Sequence, residues 1–333
     1  MAKKRILTGD RPTGPLHLGH LVGSLRNRVA LQDEYETFIL VADLHLLTTR
    51  TNKEDLRKVE GNIKELMYAY LAVGLDPKKV TFYLQSQIPE VTELFTIFNM
   101  LVTVPRAQRI PTLKDVLRDL HINEPSVGLL AYPILQAADI LMVNANAVPV
   151  GKDQDSHIEL TREIARTFNR EFGSVFNEPE AIIGEVPSLV GLDGKAKMSK
   201  SLGNCIFLFD DSETVEKKVM EMFTDPNRIH ANDPGKVEDN PVFIYHDAFN
   251  PDKTEVEILK ERYKKGNVGD VEVKQKLAKK INTLLSPLRE RRKTLERNSG
   301  EIGEILKEGT KRARREAQMT LDAVKRAMKI DYF

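Results

Sequence analysis

The sequence of 333 residues contains no tryptophan and a single cysteine, Cys205. One cysteine cannot form an internal disulfide framework, and it cannot supply a zinc site built from cysteine ligands. The chain also has no run of 18 consecutive apolar residues, the length that would indicate a membrane-spanning helix. Its basic first residues are not followed by the apolar stretch of a secretory signal. We therefore expect a protein of the reducing cytoplasm that has no membrane partner.

Charge is unevenly distributed along the chain. The 50 lysine and arginine residues nearly balance the 49 acidic residues, so the formal net charge is +1. Residues 251–333 nevertheless carry 22 basic and 14 acidic side chains, a surplus of +8, and the rest of the chain carries −7. A basic C-terminal quarter favours contact with a polyanion through that end. The alternative is that these charges lie on solvated helix faces.

Apolar runs and amphipathic stretches alternate in the first half of the chain. Short apolar runs predict buried strands at 5–9, 37–42, 80–84 and 147–150. Helical spacing of apolar residues begins near His17 and near Lys53. This alternation predicts an α/β fold with a doubly wound parallel sheet. Beyond residue 205 the pattern is helical, starting with a capping-box spacing at Asp210 and Glu213, and the length favours two domains.

Polar side chains follow several of the predicted strands. Arg11 follows the first strand, His45 the second and Gln85 the third. Ligands of doubly wound sheets bind at the carboxyl ends of the strands, so these residues are candidates for binding. The fourth strand leads into the segment 151–154, Gly-Lys-Asp-Gln, which offers backbone N–H groups and an acidic side chain suited to a ribose.

The stretch 131–142 predicts an apolar helix with polar residues on one face. Gln136 and Asp139 are three positions apart, and Tyr132 lies one turn earlier. Polar groups in an apolar helix need partners, because an unpaired buried polar group destabilises the fold. Asp139 is therefore either a structural residue satisfied by hydrogen bonds or a pocket residue that orients the polar group of a ligand.

Two short motifs point to phosphate chemistry. A glycine-rich loop at 191–204 contains Lys197-Met198-Ser199-Lys200-Ser201, whose lysines and serines can surround phosphate oxygens. Alone, such a lysine cluster is more often a solvated surface loop. Near the N-terminus, His17-Leu18-Gly19-His20 stands at a predicted helix start, where free N–H groups favour anions. The two histidines could also bind zinc, but no third ligand has suitable spacing, and we expect no metal site in the protein itself.

These motifs match the two signature sequences of the class I aminoacyl-tRNA synthetases. Over essentially its whole length the chain resembles the bacterial tryptophanyl-tRNA synthetases, with further similar stretches at 9–14, 132–141, 148–154 and 222–226. The resemblance implies a Rossmann-type catalytic domain over residues 1–205, a helical anticodon-binding domain over 206–333, and a homodimer. It also implies ATP with Mg²⁺, L-tryptophan and tRNA(Trp) as ligands.

The resemblance assigns roles to individual residues as well. It implies that His17, His20, Lys197 and Lys200 are catalytic. The residues that it places around ATP are Arg11, Pro12, Thr13, Gly19, His20, Gly151, Lys152, Asp153, Val186, Lys197, Met198, Ser199, Lys200 and Ser201. Those that it places around tryptophan are Asp139, Tyr132, Gln136, His45, Leu7, Gly9, Val148, Val150 and Gln154. Three of these positions, Leu7, Gln136 and Lys152, depart from the aromatic residue, methionine and glutamate that are common in relatives.

The chemistry of adenylate formation fits these residues. The amino-acid carboxylate attacks the α-phosphorus of ATP and pyrophosphate leaves, so the protein aligns two reactants and stabilises negative charge without supplying a nucleophile. Asp139 could accept a hydrogen bond from an indole N–H or from a phenol O–H, so a tyrosyl-tRNA synthetase is an alternative. We expect tryptophan, because no long lead precedes the first strand. A class I paralogue that binds ligands without charging tRNA is a second alternative, and the intact lysine pair of the 197–201 motif argues against it.

Overall fold

The computed structural model describes residues 3–151, 155–183, 189–225, 228, 230 and 232–332. The strands in these ranges are β1 Arg5–Asp10, β2 Glu36–Val41, β3 Val80–Leu84, β4 Ala147–Val150 and β5 Glu180–Ile183. The α-helices are α1 Leu18–His20, α2 Arg26–Leu31, α3 Asp43–Leu46, α4 Lys53–Arg57, α5 Val59–Val73, α6 Pro89–Asn99, α7 Val104–Gln108, α8 Pro111–Asp119, α9 Val127–Met142, α10 Asp155–Phe172, α11 Ser212–Met220, α12 Pro241–Phe249, α13 Lys253–Lys264, α14 Asp270–Arg297 and α15 Ser299–Met328. A π-helical segment, Leu21–Leu25, joins α1 to α2.

The described strands form one parallel sheet in the order β3-β2-β1-β4-β5. The chain moves outward from β1 to β3 and then returns to place β4 on the other side of β1. In doubly wound sheets a ligand crevice opens at the carboxyl ends of the strands where the order reverses. Here that point lies between β1 and β4, which Arg11 and Gly151 directly follow. The topology confirms the Rossmann-type parallel sheet expected from the sequence.

Two local features differ from the sequence-based expectations. The fifth strand, β5, was not predicted, because four residues are too few for a diagnostic pattern. The predicted capping box at Asp210 and Glu213 is wrong by one residue. The N-cap of α11 is Asp211, whose side chain accepts from the Thr214 N–H. Asp210 instead forms an ion pair with Lys218 at 2.6 Å.

The chain forms two compact units, each assembled from separate stretches. The first unit consists of Met1–Gly14, Asn27–Glu185 and Asn298–Phe333, and the second of Pro15–Arg26 and Val186–Arg297. The final helix, α15, therefore packs with the sheet. The predicted boundary between a catalytic domain and an anticodon-binding domain lies at residue 205 and divides the chain by function. These units are defined by contacts, so that boundary stays a prediction. Among the described residues, no helix is both long enough and apolar enough to cross a membrane.

The helix α15 covers the edge of the sheet in the first unit. Gly309 lies so close to β3 that a Cβ atom there would overlap the Phe82 carbonyl oxygen. The Thr310 hydroxyl accepts from the Leu84 N–H at 3.3 Å, and Ala313 and Ala317 are buried in the core. An exposed strand edge is a site for unwanted pairing, and this packing removes it.

The basic run at 311–315 on α15 is mostly used within the first unit. Arg312 donates to the Val80 carbonyl at 3.3 Å, and Arg314 forms an ion pair with Glu90 at 2.9 Å. Lys311 pairs with Glu308 on the same helix. The side chains of Arg312 and Arg314 therefore hold α15 against the rest of the first unit, and Lys311 forms an ion pair within the helix.

In the second unit, a lysine of α14 is buried against the end of α11 and the turn that follows it. The Lys274 ammonium donates to the Met220 and Met222 carbonyls at 3.1 and 2.6 Å and to the Thr224 hydroxyl at 2.7 Å. Burial lowers the pKa of Lys274. The lysine thereby fixes the turn that follows α11, and that turn supports the 191–204 loop described below.

Candidate active site

The two histidines of the first motif stand at the start of α1. The Gly19 N–H donates to Nδ1 of His17 at 3.1 Å, and the His17 N–H donates to Nδ1 of His20 at 3.2 Å. Each Nδ1 is therefore an acceptor, so a neutral imidazole carries its proton on Nε2. Both rings can donate that Nε2–H to an anion while they cap the helix, and their centroids lie 3.9 Å apart.

The second motif lies on a loop that is closed by backbone pairing. Met198 donates its N–H to the Leu189 carbonyl at 3.0 Å, and Gly191 donates to the Ala196 carbonyl at 2.7 Å. The Asn204 side-chain oxygen accepts from the Ser199 N–H at 2.8 Å. Outside the loop, the Phe223 N–H donates to the Leu192 carbonyl at 2.9 Å, which joins the loop to the turn fixed by Lys274.

The second unit brings the two motifs into direct contact. The Met198 thioether accepts from the Gly19 N–H at 3.3 Å, and Met198 is 4% exposed. A Cβ on Gly19 would lie 2.9 Å from the His17 ring and 3.4 Å from this sulfur, so the approach requires glycine. Burial, His20 and the lysines at 200 and 197, in that order, lower the pKa of His17 to about 3. The imidazole is therefore neutral at physiological pH, as its acceptor role requires.

The depressed pKa predicts a pH dependence of stability. The ordinary pKa of a histidine is 6.5, so between pH 6.5 and 3 the unfolded chain binds a proton that folded His17 does not. The stabilisation is fully present above pH 6.5 and is lost as the pH falls towards 3. We expect the thermal midpoint of His17→Gln to fall less steeply than that of wild type between pH 6.5 and 4. The exposed His230→Gln is the control in the same unit, and equal slopes for all three proteins would contradict the prediction.

The first unit contains a buried polar cluster around Asp139. This residue is 0% exposed on α9, and its Oδ2 accepts from Nε2 of His45 at 2.9 Å. The Gln85 amide donates to both carboxylate oxygens, at 2.9 and 2.8 Å, and its own oxygen accepts from the His45 N–H. Burial raises the pKa of Asp139, against the opposing effect of these hydrogen bonds. The structure thus joins Asp139 with His45 and Gln85, two residues that the sequence had placed at the carboxyl ends of neighbouring strands.

A second cluster of polar side chains surrounds His157 of α10. Two of its members, Tyr132 and Gln136, lie on α9, the helix that carries Asp139. The Tyr132 hydroxyl donates to Thr112 at 3.2 Å, and the Gln136 side-chain oxygen lies 2.6 Å from Nδ1 of His157. Nε2 of His157 contacts the Thr112 hydroxyl. Neither Thr112 nor His157 was among the residues predicted from the sequence. The available signal was that His157 falls on the apolar face of α10, with Ile158 and Thr161.

The ends of β1 and β4 carry the remaining candidates of the first unit. Leu7 and Val148 lie in the hydrophobic core, and Val150 packs against it half-buried. Gly9 lies against Leu40, whose carbonyl oxygen a Cβ would overlap. Arg11 follows β1, and burial followed by the charge of Arg50 lowers its pKa.

The remaining candidates lie in the segments after β1 and β4 and in the 197–201 motif, and four of them lie outside the described residues. Pro12 is buried, and the Thr13 N–H donates to the Arg11 carbonyl at 2.7 Å. Gly151 is described and exposed. Lys152, Asp153, Gln154 and Val186 lie outside the described residues. The Ser199 and Ser201 hydroxyls are 2.9 Å apart on their loop.

Three features define a class I aminoacyl-tRNA synthetase. They are the doubly wound parallel sheet, the pair of histidines that cap α1, and the lysine loop that contacts Gly19 of the histidine motif. More specifically, the chain belongs to the family described as tRNA synthetases class I (W and Y), which matches residues 2–286. It is 55% identical to the tryptophan–tRNA ligase of Treponema pallidum over 97% of this chain and 96% of that one. It is 52% identical to the tryptophan–tRNA ligase of Chlamydia caviae over 98% and 96%.

A solved structure supports the same placement. The tryptophanyl-tRNA synthetase of Campylobacter jejuni, complexed with ADP and tryptophan, superimposes with a TM-score of 0.86. The two sequences are 34% identical, and the match covers 98% of this chain and 99% of that one.

Proposed function

We propose that this protein is a tryptophan–tRNA ligase. It activates L-tryptophan with ATP to tryptophanyl-adenylate and pyrophosphate, and it then transfers the tryptophanyl group to the 3′ end of tRNA(Trp). The observation that carries the proposal is the similarity over nearly the whole chain to relatives that bear this name. The enzyme is thus a ligase of protein synthesis.

The second unit supplies the groups that act on phosphate. The carboxylate oxygen of tryptophan forms a bond to the α-phosphorus as the bond to the pyrophosphate oxygen breaks, and negative charge builds up on the phosphate oxygens. The neutral imidazoles of His17 and His20 each have an Nε2–H to donate, and Lys197 and Lys200 supply positive charge. Donors arranged in advance around developing charge lower the barrier. Met198 holds the loop against α1 through Gly19.

The first unit selects the amino acid. An ionised carboxylate has about four acceptor positions. Three of those on Asp139 are used by Gln85 and His45. The remaining position can accept the indole N–H of tryptophan. A side chain with no such donor would leave a buried carboxylate incompletely paired, so phenylalanine is rejected.

The further ligands and the assembly belong to the same proposal. ATP enters as its Mg²⁺ complex, with the cation on the phosphates as part of the substrate. Residues 1–205 are the catalytic domain, and residues 206–333 bind the anticodon region of the tRNA, where basic side chains meet phosphates. The working form is a homodimer in the cytoplasm.

Tryptophan-dependent exchange of pyrophosphate into ATP tests the function. We expect exchange with tryptophan and none with tyrosine. In Asp139→Asn we expect kcat/KM for tryptophan to fall roughly 10- to 100-fold, because a charge-assisted hydrogen bond is lost. Asp115→Asn, an exposed aspartate on α8, is the control, and the thermal midpoints of both variants show whether they fold.

Each other outcome selects an alternative. Exchange with tyrosine alone would make the protein a tyrosyl-tRNA synthetase. Exchange with tryptophan but no aminoacylation of tRNA(Trp) would indicate a paralogue that only forms adenylates. Binding of tryptophan without exchange would indicate a binding module.

A further inference from the structure

Four side chains of the first unit form a continuous hydrogen-bonded chain. Tyr132 donates to the Thr112 hydroxyl at 3.2 Å, and its oxygen also lies 3.3 Å from Nε2 of His157. Thr112 contacts the same ring nitrogen. On the other side of the ring, Nδ1 lies 2.6 Å from the side-chain oxygen of Gln136. His157 is 2% exposed, so the ring is held entirely by its neighbours.

The chemistry of these groups gives the chain a direction. The amide oxygen of Gln136 can only accept, so Nδ1 of His157 carries a proton. A neutral imidazole has one N–H, so Nε2 accepts from the hydroxyl groups. The order of donation therefore runs from Tyr132 through Thr112 to His157 and then to Gln136. At the first end of this hydrogen-bonded series, the Tyr132 oxygen can still accept a hydrogen bond. At the other end, the Gln136 amide has two N–H groups that can donate.

We propose that His157 is a positioning residue of the amino-acid site. By holding the Gln136 oxygen, it directs the Gln136 N–H groups towards the substrate. Gln136 is half-buried and lies on the face of α9 that carries Asp139, and its amide nitrogen has no partner within the described part of the chain. Gln136 therefore donates to an electron-rich group of tryptophan, its carboxylate or the face of its ring, and it is not the acceptor of the ammonium. This inference rests on the proposed function.

Kinetics of three single variants and one double variant test the role of His157. In His157→Leu we expect the KM for tryptophan to rise roughly 3- to 10-fold, the effect of one hydrogen bond, with little change in the KM for ATP. His157→Asn can still donate to the Gln136 oxygen, so it should restore most of the loss. In Gln136→Met, adding His157→Leu should have little further effect. A structural role alone would change both KM values, and Asn would give no rescue.

The tautomer of His157 is a direct readout. Nitrogen-15 spectra of the wild-type enzyme should show His157 protonated on Nδ1, assigned by the loss of its signals in His157→Asn. Protonation on Nε2 instead would overturn the proposed direction.

Substrate analogues identify the group that Gln136 contacts. Tryptamine lacks the carboxylate and indole-3-propionate lacks the ammonium, and both can be tested as inhibitors of exchange. We expect Gln136→Met to weaken indole-3-propionate as much as it weakens tryptophan. Weakening of tryptamine as well would place the donor on the ring face, and no effect on tryptamine would place it on the carboxylate. An effect confined to ligands with the ammonium would overturn the inference.

Failure of this inference is separable from failure of the proposed function. Wild-type enzyme without tryptophan-dependent exchange would refute the function itself. Normal exchange by wild type together with an unchanged KM for tryptophan in His157→Leu would refute only the role of His157.

Discussion

Replacing Lys200 with alanine should lower the kcat of tryptophan-dependent pyrophosphate exchange by roughly 10²- to 10³-fold. The lysine lies on the loop that Met198 holds against Gly19, and its charge is one of those that lower the pKa of His17. Its ammonium would stabilise charge that builds up on the phosphates during the reaction. Because that charge develops in the transition state, the loss should fall on kcat, with a smaller change in the KM for tryptophan.

A matched control lies on the same loop. Lys195 is exposed and outside the 197–201 motif, so Lys195→Ala removes a neighbouring positive charge with the same change in size. We expect its kcat to stay within about twofold of wild type. Similar losses in the two variants would mean that the loop acts through its overall charge, and the specific role of Lys200 would be wrong.

Replacing Asp10 with asparagine should strongly destabilise the first unit. The Arg28 guanidinium is buried and donates to the Asp10 carboxylate at 2.5 Å, to the Gly9 carbonyl at 3.3 Å and to the Tyr70 hydroxyl at 3.4 Å. Burial alone would lower the pKa of Arg28, but Asp10 and Tyr70 outweigh it and raise the pKa. Without the carboxylate a buried positive charge is left unpaired, which costs roughly 3–5 kcal/mol. The measurement is the urea and thermal midpoint of the variant.

Two comparisons show whether burial is the cause. Asp33 forms an ion pair with Lys79 at 2.6 Å, but both side chains are largely exposed, so Asp33→Asn should leave the midpoint unchanged. The double variant Asp10→Asn with Arg28→Met removes the unpaired charge and should recover part of the stability lost in Asp10→Asn. A midpoint for Asp10→Asn equal to that of Asp33→Asn would refute the explanation.

The sequence was sufficient for the fold class because the apolar runs of β1 to β4 are separated by amphipathic helices. It was insufficient for β5, whose four residues form a strand only because β4 offers an edge to pair with. The packing of α15 against β3 could not be predicted from the sequence either. Its basic run indicates solvent or a polyanion, and only the tertiary structure shows Arg312 on the Val80 carbonyl.

Candidate site residues could be chosen from the sequence where the residue types indicate the chemistry by themselves. The histidine and lysine motifs and Asp139 are conspicuous because they are polar groups in unusual surroundings. Thr112 and His157 are ordinary residues in amphipathic helices, and the role proposed for His157 depends on contacts across 20 to 45 positions of chain. The acceptor state of Nδ1 on His17 and His20 depends on the backbone of α1, which composition does not encode.

The cover that α15 gives to β3 has a consequence for synthesis of the protein. About 215 residues separate the end of β3 from the start of α15. At a translation rate of roughly 5–20 residues per second, the open edge of β3 exists for about 10–40 s on the ribosome. During that interval the outer edge of β3 is not covered, because α15 has not yet been synthesised. Nascent chains of this protein should therefore depend on ribosome-associated chaperones, and slowing translation between residues 84 and 299 should increase that dependence.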